Sequence, residues 1–196
     1  MVSKIGRNNL AICYRYGRGT DIDKNKAFEC YQKLAENENE IAQFNLGDCY
    51  RDGRGIEQDD VKAFGWYEKS AKQGDSDAQF MLGKCYQYGL GIEGNEAEAF
   101  GWYEKSALQG CVDAYFYLGN CYDKGIGTDI DKKRAFELYE IAAKKGVIDA
   151  QKNLALMYEK GEGIEKNIEY AIYWYQKVVD NGCQDVEIRL NKLLKG

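Results

Sequence analysis

Apolar residues between positions 78 and 107 recur at helical spacing rather than strand spacing. Ala78, Leu82, Cys85 and Tyr86 share one face at about 100° per residue, and Ala99, Phe100, Tyr103 and Ala107 share one face of a second segment. Two amphipathic helices are predicted, joined by a loop that carries Gly89 and Gly91. The pattern then repeats. Leu10, Leu46, Leu82, Leu118, Leu154 and Leu190 each follow the last by 36 residues, as do Tyr14, Tyr50, Tyr86, Tyr122 and Tyr158. The second helix repeats through Ala27, Ala63, Ala99, Ala135 and Ala171, and through Tyr31, Tyr67, Tyr103, Tyr139 and Tyr175. A fixed period of this length marks an array of stacked units, none of which buries its apolar stripe alone. The predicted fold is all-α: one αα-hairpin solenoid domain over 1–196, with repeats near 9–44, 45–80, 81–116, 117–152 and 153–188 and a terminal cap over 185–196.

Local punctuation agrees with this division. Gly17, Gly53, Gly89, Gly125 and Gly161 stand where a left-handed glycine ends a helix, and Asp23, Asp59, Asn95, Asp131 and Asn167 are N-cap types that open the next one. Gly47, Gly83 and Gly119 lie inside the first helix, with Ala11 and Ala155 in the outer copies, which predicts a closely approaching helix. After the fifth unit, Asp185 to Leu194 repeats only the first helix, and Glu187, Arg189, Asn191 and Lys192 suit a polar cap.

The composition changes the picture chiefly by exclusion. The 196 residues include no proline and no histidine, so a proline-free template copied several times is implied, and imidazole bases, Ser-His-Asp triads and His-containing zinc sites are ruled out. A net charge of −5 with scattered basic residues argues against nucleic acid. No apolar run approaches a membrane span, and the N-terminus is too polar for a signal peptide, so a cytoplasmic protein without membrane insertion is expected. Cys13, Cys49, Cys85 and Cys121 keep the 36-residue period and read as small core residues. Cys30, Cys111 and Cys183 form no C-x-x-C; a Cys13–Cys30 bridge is the one pairing left open.

The string Leu82 to Ile92 (Leu-Gly-Lys-Cys-Tyr-Gln-Tyr-Gly-Leu-Gly-Ile), followed by Ala99 to Gly110 (Ala-Phe-Gly-Trp-Tyr-Glu-Lys-Ser-Ala-Leu-Gln-Gly), resembles the Sel1-like repeat, a relative of the tetratricopeptide repeat with a longer interhelical loop. The likeness covers essentially the whole chain, and its Cys-Tyr and Lys-Ser-Ala variants resemble repeats expanded in fungi. Cys30 and Leu138 depart from it where Trp66, Trp102 and Trp174 stand, and Glu38 replaces the glycine of Gly74, Gly110, Gly146 and Gly182. The resemblance implies a scaffold or adaptor for signalling or complex assembly. A cysteine-rich bacterial branch, with disulfides inside each repeat, has been associated with β-lactam binding, but one thiol per unit suits that branch poorly.

No catalytic, metal or cofactor site is expected. The Gly-x-Gly loops lack the preceding strand and Walker lysine of a phosphate cradle, which leaves a turn device. Asp59 and Asp60 sit at a helix N-terminus, where capping is the simpler duty. The tyrosines and tryptophans have the spacing of core packing. Variation is concentrated on the first-helix face turned away from Leu82. One row there reads Asn8, Phe44, Phe80, Phe116, Lys152; the next Ile12, Asp48, Lys84, Asn120, Leu156; the third Arg15, Arg51, Gln87, Asp123, Glu159, passing from basic to acidic. These rows predict a groove for a protein or peptide partner, anchored by the three phenylalanines and oriented by the charges. The alternative is that the phenylalanines pack on the neighbouring repeat while the charges solvate the surface. Two other functional readings remain: a hydrolase of the β-lactam-binding type, and a structural array that self-associates weakly.

Overall fold

The computed structural model describes residues 4–195, with side chains from Asn9 onward, so Asn8 of the first row lies outside the described side chains. The regular secondary structure of the described residues is all helical. Five hairpins follow one another: α1 (Lys4–Tyr16) with α2 (Lys24–Ala35), α3 (Glu40–Asp52) with α4 (Asp60–Lys72), α5 (Ser76–Tyr88) with α6 (Glu96–Leu108), α7 (Val112–Lys124) with α8 (Lys132–Lys144), and α9 (Ile148–Lys160) with α10 (Ile168–Asp180). A 3₁₀ turn (Gln184–Val186) leads into α11 (Glu187–Leu193). The chain forms two compact units, Met1–Trp102 and Tyr103–Gly196.

Each hairpin is fixed by the residues that the sequence marks. Asp23, Asp59, Asp131 and Asn167 accept the backbone N–H three residues on at 2.9–3.0 Å, and Asn95 accepts from Ala97 and Glu98. Such a cap is worth about 1 kcal/mol. At the other end of the loop, Gly53, Gly89, Gly125 and Gly161 adopt left-handed φ of 64–76° and return their N–H to the last turn. The second glycine of the loop has a different duty. A Cβ at Gly55, Gly91 or Gly163 would run into the carbonyl of Lys24, Asp60 or Lys132, where the loop presses on the start of the preceding hairpin's second helix. The turn-device reading of Gly-x-Gly therefore holds, with inter-repeat contact added to it.

Within the first unit α1 packs on α2, α2 on α3, α3 on α4 and α4 on α5; within the second, α7 to α11 pack in the same succession. Tyr31, Tyr67, Tyr139 and Tyr175 are buried behind the first helices. A Cβ on Gly47 would lie 2.7 Å from the Tyr67 ring, and one on Gly119 2.8 Å from Tyr139, which is the close approach that helix-interior glycines predict. Leu46, Leu82, Leu118, Leu154 and Leu190 are buried, Leu190 filling the slot from α11. Leu10 departs from its row: it is 46% exposed, and no helix among the described residues precedes α1.

Cys13 and Cys30 are not bridged to each other. Burial pushes Cys49 and Cys85 up to about 11, as befits small core residues that stay protonated. Glu38, in the slot of four glycines, has φ of 56°, the one positive φ of a non-glycine among the described residues.

Candidate partner-binding face

In the first unit the predicted rows lie along α1, α3 and α5. The Tyr67 ring crosses behind Gly47, and its phenol donates to Asp48 Oδ1 at 2.9 Å. Asp48 is only 7% exposed and is further held by Arg51 at 3.1 Å and Arg15 at 3.5 Å. Three row residues, Arg15, Asp48 and Arg51, thus meet around one phenol. Arg15 also donates to Asn45 Oδ1 at 2.8 Å in the next hairpin. Arg51 forks onto Asp52 at 2.7 and 3.0 Å and reaches the Met81 sulfur. That fork holds the Arg51 guanidinium charged and the Asp52 carboxyl below its usual range. Phe44 is half-buried, with its ring 5.8 Å from Tyr67, and Phe80 is half-buried with the Lys84 ammonium 5.8 Å over its ring. Both pack against a cluster of Ala63, Tyr67, Ala71, Ala78, Met81, Leu82 and Cys85. Gln87 is also half-buried.

The second unit carries the rest of the rows. Phe116 is half-buried, 5.9 Å from Tyr139 and edge-on to Tyr117 at 5.5 Å. Asn120 Oδ1 accepts the Tyr139 phenol at 2.7 Å. Asp123 accepts from Lys132 at 2.7 Å. Glu159 accepts the Tyr175 phenol at 2.9 Å and is gripped by both arms of Arg189 on α11, which keeps its carboxyl below the usual range. Lys152, Leu156, Glu159, Tyr175, Ile188 and Arg189 line a cavity of about 610 Å³.

In each unit the first helices are therefore lined by phenols and their acceptors. Each of Tyr67, Tyr139 and Tyr175 sends its O–H to a side chain of the variable rows, and burial raises all three phenols, so they act as neutral donors. Sequence reading placed these row residues on one face but missed that most of their charge is matched within the chain. The recurring separation of 19 between Asp48 and Tyr67, and between Asn120 and Tyr139, carried that signal.

Two cavities also escaped the sequence reading. One, of about 600 Å³, is lined by Ala35, Glu36, Gln43, Trp66 and Lys69; the other, about 390 Å³, by the equivalent Ala107, Leu108, Tyr115, Leu138 and Ile141. The second is apolar where the first is charged, and its Leu108 is 83% exposed. The signal was the joint departure of Leu138 from tryptophan and Tyr115 from the glutamine of Gln43, Gln79 and Gln151.

The family model described as Sel1 repeat matches this chain five times, over residues 5–39, 41–75, 76–111, 112–147 and 148–183. Among solved structures, a Sel1 repeat protein from Oxalobacter formigenes is 36% identical, with 92% of this chain and 72% of that one covered and a TM-score of 0.86. The protective antigen c5321, present in uropathogenic Escherichia coli strains and displaying an SLR fold, is 32% identical with a TM-score of 0.89. That match covers 98% of this chain but 41% of the antigen, so the chain spans less than half of that relative's length. Helicobacter pylori cysteine rich protein B, 22% identical, shares the fold alone, with 66% of this chain and 92% of that one covered and a TM-score of 0.52. No curated protein matches the chain. No helix among the described residues is long and apolar enough to cross a membrane.

Proposed function

The chain belongs to the Sel1 repeat family, whose members are generally protein-interaction scaffolds, and on that premise we propose that it is a non-catalytic adaptor that holds a segment of a protein partner on its first-helix face. The reading extends to a cytoplasmic role in signalling or complex assembly. Phe44 and Phe80 in one unit and Phe116 in the other are the anchors. The observation that carries the proposal is that these rings are half-buried, rooted in the core along one edge while part of each remains at the surface of a face whose other residues differ from repeat to repeat. Partly sunk aromatic rings suit interface anchors, since they bring large contact area with little rotamer entropy to lose. Because Arg51, Asp123 and Glu159 already have partners within the chain, they shape the face and set register rather than offer free charge.

The test is partner capture by the wild type and by a variant carrying Phe44→Ser, Phe80→Ser and Phe116→Ser. Circular dichroism must first establish that the variant keeps its helices, because all three rings also touch the core. Capture falling by tenfold or more supports the reading; unchanged capture by a folded variant refutes it.

A further inference from the structure

The first hairpin departs from the pattern in which Tyr67, Tyr139 and Tyr175 each find an acceptor. Tyr31 occupies the slot of Tyr67, Tyr139 and Tyr175 and is fully buried, yet its O–H has no acceptor, its hydrogen-bonding neighbour being Arg15, itself a donor. The reason lies in the rows. Asp48 and Asn120 supply the acceptor at 19 residues' separation and Glu159 supplies it at 16; the same slots beside Tyr31 hold Ile12, which has no acceptor, and Arg15, which has only donors. Arg15 is itself 14% exposed in its side chain, and its Nε is buried without a partner. Two buried donors therefore face one place with nothing to receive them, an arrangement that costs free energy until an acceptor arrives.

That place is a cavity of about 230 Å³, lined by Arg15, Tyr16, Lys24, Ala27, Tyr31, Cys49 and Arg54. Its charge is one-sided. Arg15 pairs with Asp48 and Arg54 with Asp52, Lys24 adds a third cation with no ion pair among the described residues, and no carboxylate lines the cavity itself. In an acidic chain this is a local reversal of sign. The volume suits a single small acceptor group, and the donors comprise two guanidinium forks, an ammonium and a phenol, the set that matches a carboxylate. A hydroxyl or amide ligand would leave the positive charge unanswered.

We propose that this cavity binds a carboxylate carried on an acidic side chain of a protein partner, with the Tyr31 phenol, Arg15, Arg54 and Lys24 as its donors. The carboxylate's source rests on the scaffold reading; the site itself rests on the orphaned donors. An acidic side chain entering here would take the place that Asp48 fills for Tyr67.

Titration calorimetry on the full chain at low ionic strength tests this with an acetylated, amidated Glu-Gly repeat peptide, its Gln-Gly counterpart and free succinate. The Glu-Gly peptide is expected to bind saturably at one site while the Gln-Gly peptide does not. Tyr31→Phe, which keeps the ring and removes only the hydroxyl, should weaken binding about tenfold. Lys24→Gln, on an exposed side chain that folding does not depend on, should weaken it about threefold. Equal binding of the Glu and Gln peptides, or Glu-Gly affinity unaffected by Tyr31→Phe and Lys24→Gln, overturns the site. Succinate binding as tightly as the peptide overturns the partner source. The phenylalanine triple variant separates the two proposals: if it retains Glu-Gly binding but loses partner capture, both stand, and if it retains capture while wild-type Glu-Gly binding holds, only the groove reading fails.

Discussion

The first and fourth hairpins place opposite chemistry in the same slots. Around the fourth, the three positions 36-residue periodicity aligns are Asp123, Lys132 and, from the next hairpin's loop, Glu162, and Lys132 sits 2.7 Å from the first carboxylate and 3.7 Å from the second. Around the first hairpin those positions are Arg15, Lys24 and, from the next hairpin's loop, Arg54, three cations around a cavity. The phenol differs in the same sense: Tyr139 donates to Asn120, whereas Tyr31 faces Ile12's slot and finds no acceptor. The hairpin fold is the same in both. The lesson is that the framework demands the tyrosine ring, which fills the space over the helix-interior glycine or alanine, but leaves open how the hydroxyl and its charged surroundings are satisfied. A repeat that satisfies them internally is closed, and one that does not is a site.

The largest expected effect tests whether the phenols differ energetically. Tyr67→Phe removes a donor from the buried Asp48 carboxylate and should cost about 1.5 kcal/mol in urea unfolding. Tyr31→Phe removes a hydroxyl whose proton has no acceptor and should leave stability within about 0.5 kcal/mol of wild type or raise it. Equal losses for the two variants would erase the distinction between a closed and an open hairpin.

Converting one hairpin into the other is the next test. Ile12→Asp installs the Asp48 arrangement beside Tyr31 and Arg15, with an acceptor for the phenol and a counter-charge for the guanidinium. Glu-Gly peptide affinity should fall about tenfold, a loss of about 1.4 kcal/mol. Stability should change little, because the new hydrogen bond offsets the lost burial of a half-buried isoleucine. Calorimetry in which Ile12→Asp binds the peptide as wild type does would show that the acceptor's absence is not what makes the site.

How much of this was legible in the sequence follows from the range of each interaction. Caps such as Asp59 to Lys62 N span three residues, and the Gly53 turn spans five, so their residue types disclose them directly. The helix-interior Gly47 disclosed that something large approaches, though not that it is Tyr67. Helical periodicity alone aligns the row residues along the first helices within each unit. What they do there was hidden: Arg15 to Asn45 and Glu159 to Arg189 span 30 residues, and Asp48 to Tyr67 spans 19. Those pairings exist only once the helices are stacked, and a charged residue on an exposed stripe looks the same whether its partner is a solvent molecule or a neighbouring repeat. The apparent run from basic to acidic along Arg15, Arg51, Gln87, Asp123 and Glu159 is real in sequence, but only its first member stands beside an unmatched donor. Glu38 was visible as a break in the glycine template, and its φ of 56° gives the break a conformation that non-glycine residues rarely adopt.

The smallest effect concerns the closed hairpin. Lys132→Gln leaves Asp123 and Glu162 without their shared cation while keeping most of the side chain's length. Both carboxylates retain access to water, as does Lys132, whose side chain is 38% exposed, so the loss should be only about 0.5 kcal/mol. Its salt dependence is the more informative reading. Screening shrinks a charge contribution, so the gap between wild type and variant should close as sodium chloride is raised toward 1 M, where the Debye length is about 3 Å. A gap that persisted would mean that the lysine stem, packed along the loop that presses on its carbonyl through Gly163, matters more than its charge. The first and fourth hairpins would then differ in shape as well as in sign, and the cavity beside Tyr31 would owe its opening to packing rather than to the three cations around it.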